Sequence, residues 1–178
     1  LDIDKTEYVL VFGASAVNCI LAQLAIYYQA IPVIIDNDKT RLETAQDCGA
    51  YYTINSAEED VKQAIKQITG GKFAPHAVID SDAFSGTKDI FSYLKHQGKV
   101  CIMGYNRTLS RMNYDVSPVL KFELSLYGIN NGRKEIDSAI NLLANNVVNV
   151  DCFIEKSANF DEAPALFAEK RDLPPYYK

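Results

Sequence analysis

The sequence predicts an α/β domain built on a doubly wound, mostly parallel six-stranded sheet with helices on both faces. Three observations carry that expectation: strand-length runs that are apolar throughout, amphipathic helical patterns between most of them, and a glycine turn joining the first run to the first helix. A strand buried on both faces has no solvent side to mark with polar residues, and joining parallel strands requires a crossover, usually a helix.

The first run, Tyr8 to Phe12, leads through Gly13 into a helix whose apolar stripe is Val17, Ile20, Leu21, Leu24 and Ala25. The second, Pro32 to Ile35, ends in Asp36, and Gly49 closes the helix that follows. After the third, Tyr51 to Ile54, Ser56 and Glu59 form a capping box for a helix striped by Val61, Ala64, Ile65 and Ile68. The fourth and fifth are Ala77 to Ile79 and Val100 to Met103. From Gly104 to Phe122 the pattern lapses into a polar stretch with Asn106, Arg107, Ser110, Arg111, Asn113 and Pro118, read as a functional loop with one helical turn. The sixth run, Leu124 to Tyr127, precedes a helix striped by Ile136, Ala139, Ile140 and Leu143. Asp161 to Lys170 form a short helix, and Pro174, Pro175, Tyr176 and Tyr177 an extended tail. The domain therefore takes residues 1–170 and the tail residues 171–178.

Composition narrows the partners. With 48% hydrophobic and 23% charged residues in 178, this is the balance of a folded domain. The net charge of -5 and eighteen dispersed Lys and Arg argue against a nucleic-acid partner, whose binding draws on clustered cations. No apolar run approaches the roughly 20 residues that cross a bilayer, and the acidic start Leu1, Asp2, Ile3, Asp4 is no signal peptide. The expectation is a cytoplasmic protein without a membrane partner, and the start without Met reads as processing or as part of something longer. Cys19, Cys48, Cys101 and Cys152 show neither Cys-x-x-Cys spacing nor a neighbouring His, so they read as reduced, mostly buried thiols.

The functional signal lies at Gly13, Ala14, Ser15, Ala16, Val17 and Asn18, where strand passes into helix. In the Gly-x-Gly-x-x-Gly pattern of dinucleotide sites the first glycine makes the turn, the second admits the pyrophosphate and the third lets helix and strand pack closely. Only Gly13 follows it. Ser15 offers a hydroxyl to a phosphate oxygen in place of the second, whereas Asn18 puts an amide where the helix should approach the sheet. The amides and dipole at the helix start favour phosphate whatever the side chains; a plain strand-to-helix turn is the alternative. Asp36, 23 residues after Gly13, has the spacing of the carboxylate that accepts the adenosine ribose hydroxyls and repels a 2′-phosphate, favouring NAD over NADP. Its alternative is to start the next helix beside Asn37 and Asp38. Arg41 either reaches the ribose or is an exposed helical arginine.

Val9 to Val17, Ile35-Asp36, Arg41-Leu42 to Gly49-Ala50, Ile54-Asn55, Thr69-Gly70-Gly71, Ala77 to Asp80, Gly98-Lys99-Val100 with Met103-Gly104, and Glu123 to Gly128 follow one another in a familiar order. Together they resemble the C-terminal cofactor domain, a Rossmann fold, of medium-chain dehydrogenases/reductases of the zinc-type alcohol dehydrogenase kind, over roughly residues 7 to 170. The resemblance implies a parent oxidoreductase that moves a hydride between an alcohol or carbonyl substrate and nicotinamide, with zinc held in a catalytic domain this chain lacks. It implies pyrophosphate at Gly13, Ser15, Ala16 and Val17, and ribose at Asp36 and Arg41. Asp80 and Ser81 would border the adenine side, while Met103, Gly104, Tyr105, Ser125 and Tyr127 would hold the nicotinamide, although Met103 and Tyr127 also suit a core. It further implies a homodimer through the edge strand Leu124 to Tyr127.

No catalytic or metal-binding residue is expected within the chain: His76 and His96 read as surface histidines, and the isolated segment is expected to be inactive. A short-chain dehydrogenase is disfavoured, since none of the eleven tyrosines begins Tyr-x-x-x-Lys. A methyltransferase fits the six-strand alternation less well. A regulatory nucleotide sensor, a dimerisation module and a zinc-free quinone reductase-type parent stay open.

Overall fold

Apolar strands of this kind need cover on both faces, and the computed structural model, which describes residues 1–80, 89–104, 115–130, 132–154 and 157–165, supplies it. The elements run β1 (Tyr8–Phe12), α1 (Ala16–Tyr27), β2 (Ile31–Asp36), α2 (Lys39–Asp47), β3 (Tyr52–Asn55), α3 (Val61–Ile68), β4 (Ala74–Asp80), β5 (Leu94–Met103), α4 (Ser117–Lys121), β6 (Ser125–Gly128) and α5 (Ile136–Ala144). The six strands form one sheet in the order β3-β2-β1-β4-β5-β6, and every pairing is parallel.

Alternation along the strands divides the core in two. Val9, Val11 and Ile34 face α1 and α2, packing on Cys19, Ala22, Ala25, Leu42 and Ala45. Leu10, Phe12, Val33, Ile35, Ile54, Ala77 and Ile79 face the other way, onto Val61, Ala64 and Ile65 of α3 and the 3₁₀ turn Ile90–Tyr93. The chain winds outward from β1 to β3 and then returns to lay β4 beside β1. Where the winding reverses, the crossovers on either side diverge and leave a crevice at the carboxyl ends of β1 and β4.

Several local expectations change. The Ser56–Glu59 capping box does not form: α3 starts at Val61, so Asp60 is its cap, accepting Gln63 N at 2.9 Å. Glu59 instead accepts Asn55 N at 2.9 Å. Gly49 does close α2, with a φ of +97° that suits glycine. His76 is buried rather than on the surface, 2.8 Å from Glu7 Oε2, because it lies on central β4. His96 is exposed, 3.6 Å from Glu123. The apolar stripe of α5 forms as a helix but stays uncovered, with no residue of α5 buried.

The cysteine reading is corrected as well. Cys48 and Cys152 form a disulfide with Cα atoms 6.2 Å apart, while Cys19 and Cys101 are buried free thiols. Tertiary return of the chain creates that bond. After α5, Gln23 of α1 donates to Asn149 O (2.9 Å) and accepts from Asn149 N (2.6 Å), steering Cys152 toward the carboxyl end of α2. The loop residues 105–114 and the end of the expected helix and tail, residues 166–178, lie outside the described residues.

Candidate functional site

β1 ends at Phe12, and the chain turns through Gly13, whose φ of +99° a side chain would strain. Ser15 then caps α1, its Oγ accepting Asn18 N at 3.2 Å. The same hydroxyl donates to Asp80 Oδ2 at 2.8 Å. β4 is the neighbour of β1, so its terminal carboxylate ends beside the cap and engages the Ser15 hydroxyl. For the same reason Asp80 lies beside the turn.

Asn18 is fully buried without blocking the turn. Its Nδ2 donates inward, to Phe12 O at 3.1 Å and Gly13 O at 2.8 Å. The N–H groups of Ala16 and Val17 make no backbone bond among the described residues, and Val17 is 53% exposed. Two unpaired amides and the positive end of the α1 dipole thus meet at an open helix start, a donor set that fits an anion.

Asp36 points at this turn. Its side chain is wholly buried, Oδ2 accepting Ala14 N at 2.7 Å and Oδ1 accepting Asp38 N at 2.9 Å. The helix-starting role falls to Asp38, whose Oδ1 accepts Thr40 N and Arg41 N at 2.9 and 3.2 Å. Arg41 is not an exposed arginine. Its side chain is 12% exposed, 3.9 Å from Asp36 Oδ2 and 3.7 Å from Asp38 Oδ2. A carboxylate offers about four acceptor positions; backbone N–H groups take two of those of Asp36, and Arg41 lies beside it.

Across the crevice, Met103 pairs with Asp80 and is partly exposed, and Gly104 follows with a φ of +81°. Register aligns Phe12, Ile79, Ile102 and Gly128, which sets Tyr127 one residue and Ser125 three residues behind that line. Tyr127 is 46% exposed and Ser125 exposed, so neither is core. Ser81 and Tyr105 lie outside the described residues.

Cys19 lies beneath the turn, and burial, then the charge of Asp36, pushes its thiol up to about 12, leaving it no nucleophile. The described residues contain no group of three or more His, Cys, Asp or Glu that could hold a metal, so their donor set does not fit zinc. Two features were missed in the sequence. Asn18 read as an obstacle and Asp80 had no visible link to Ser15; both bonds span elements and carry no spacing signal, although a polar residue on the buried face of α1 was a hint.

Sheet order, crevice and helix start together define a Rossmann-type α/β domain. Residues 16–145 match the family described as zinc-binding dehydrogenase, and the chain belongs to that family. An "uncharacterized zinc-type alcohol dehydrogenase-like protein" of Haemophilus influenzae is 29% identical over 171 residues, covering 96% of this chain and 49% of that protein. Among solved structures, a protein called a "short chain alcohol dehydrogenase" from Escherichia coli CFT073, complexed with NADH, superposes with a TM-score of 0.74 at 19% identity, covering 95% of this chain and 50% of that one. The Escherichia coli quinone oxidoreductase complexed with NADPH gives 0.64 at 25%, with 83% and 48% covered. The chain spans about half the length of the relatives it matches.

Proposed function

We propose that this chain is the cofactor-binding domain of an NAD-dependent, zinc-type alcohol dehydrogenase-like oxidoreductase, and that alone it binds cofactor without turnover. The observation that carries the proposal is the joint arrangement at the first turn: Asp36 bonded to Ala14 N–H, beside Ala16 and Val17 amides that make no backbone bond among the described residues. In this reading the amides at Ser15, Ala16 and Val17, after the turn at Gly13, hold the diphosphate. Asp36, with Arg41 along its edge, takes the ribose hydroxyls, and Asp80 holds Ser15 in place. Met103, Gly104, Tyr105, Ser125 and Tyr127 would border the nicotinamide, and Ser81 the adenine side. The bound cofactor supplies hydride chemistry at nicotinamide C4. The chain's own residues orient it and shield one side of the ring, while alcohol or carbonyl binding and any zinc belong to a domain outside this chain.

NAD is preferred to NADP because a 2′-phosphate would bring its charge against buried Asp36. Titration of NADH fluorescence against the purified chain, with NADPH as control, tests this. Binding of NADH in preference to NADPH is expected, and no binding at millimolar NADH overturns it. Asp36→Ala should narrow the preference at least several-fold; unchanged selectivity removes Asp36 from the ribose role. The same proposal includes a homodimer through Leu124 to Tyr127, supported by the exposed outer edge of β6, where Leu126 is 44% exposed. It also includes a cytoplasmic location, to be tested by cell fractionation; no helix among the described residues is long and apolar enough to cross a membrane.

A further inference from the structure

The Gly13–Ala14 peptide is gripped from both sides. Its carbonyl accepts Asn18 Nδ2 at 2.8 Å and its N–H donates to Asp36 Oδ2 at 2.7 Å. The second proton of Asn18 Nδ2 goes to Phe12 O at 3.1 Å, so one amide ties both the strand end and the turn to the first turn of α1. Two carbonyls also decide which end of that amide faces them, since only the NH₂ group can donate. Oδ1 is left buried with no hydrogen-bond partner among the described residues. The arrangement thus retains a polar group that no packing argument favours.

We infer that Asn18 is a positioning residue for the phosphate turn, performing by hydrogen bonds the task a glycine at this place performs by letting the helix approach the strand. The inference rests on the reading of the turn as a diphosphate site. Gly13 has no Cβ to restrain the ψ torsion that orients this peptide, so the hydrogen bonds must do so. Flipping would aim the Gly13 carbonyl oxygen at the Asp36 carboxylate and strip Asn18 of an acceptor. Two side chains, one from α1 and one from β2, therefore select a single orientation. In it the chain enters α1 with the Ala16 and Val17 amides making no backbone bond among the described residues. Asn18 itself touches no ligand; it fixes the peptide from which those amides follow.

The test compares the purified chain with Asn18→Ala and Asn18→Ser, using ADP and adenosine as probes, and reads hydrogen exchange of the Ala14 amide without ligand. Asn18→Ala should weaken ADP on the order of tenfold while leaving adenosine within about twofold, and should speed Ala14 exchange. Asn18→Ser keeps one donor and should recover part of both effects, and it carries the test alone if Asn18→Ala does not fold. Unchanged Ala14 exchange, or equal losses for ADP and adenosine, overturns the positioning role. A wild-type chain that binds no ADP, with Ala14 exchange still governed by Asn18, overturns the diphosphate reading and reduces Asn18 to a structural clamp.

Discussion

At the scale of single residues, the first turn is organised by polar side chains that answer to backbone groups. Ser15 is bonded both to Asn18 N and to Asp80. Ser15→Ala should therefore lower stability by about 1 kcal/mol, the ordinary worth of a helix cap, measured by urea unfolding. Cys19 is 2% exposed and its thiol is held up at about 12, first by burial and then by Asp36. Only thiolate reacts, so the folded chain should resist alkylation of Cys19 by iodoacetamide near neutral pH, while the urea-unfolded chain should not. Rapid labelling of Cys19 in the native state would contradict its place beneath the turn. Of the candidate residues, Gly13 and Asp36 were legible from spacing. Asn18 was legible only as an anomaly, because its partners are carbonyls oriented by the path of the turn.

At the scale of elements, apolar runs gave all six strands, although β5 starts at Leu94, six residues before its run. Helices α1, α3 and α5 form where their stripes lie, but only α3 buries its stripe, since α1 turns Asn18, Cys19, Ala22 and Ala25 inward and α5 buries nothing. Caps were less legible. Ser56–Glu59 and Asp60–Gln63 are both plausible helix starts, and the start at Val61 selects the second. The disulfide was invisible, since Cys48 and Cys152 are 104 residues apart and meet only because the segment after α5 crosses α1. Closing so long a loop restricts the unfolded chain, so reduction, or Cys152→Ser, should cost about 2–4 kcal/mol. Urea unfolding with and without a phosphine reductant checks it, with Cys152→Ser insensitive to reductant.

For the whole molecule, two buried acids set its alkaline limit. Cys19 stands at about 12 against an ordinary 9.0, and burial pushes Tyr93 to about 12 from 10.0. Below about pH 9 folded and unfolded chains alike hold these protons; above it the unfolded chain releases them first, so it binds fewer protons and stability falls as pH rises toward 12. Urea midpoints measured from about pH 8 to about pH 11 should decline steadily, and a flat profile would contradict both burials. At one margin of the sheet β6 has one neighbouring strand among the described residues, the edge through which the dimer is proposed. In the proposed dimer, Leu126→Lys should give a monomer by sedimentation, since a charge on a strand edge opposes pairing.

The order of strands and helices, the glycine turn and the acid at the end of β2 were determined by sequence alone, because local periodicity and short-range spacing are written in neighbouring residues. Tertiary structure decided which strand lies beside β1, and with it that Asp80 meets Ser15, that Asn18 closes on Phe12 and Gly13, and that Cys48 meets Cys152. Those pairings join residues distant in the chain, and a hydrogen bond or a disulfide forms only where the completed sheet brings its atoms within reach.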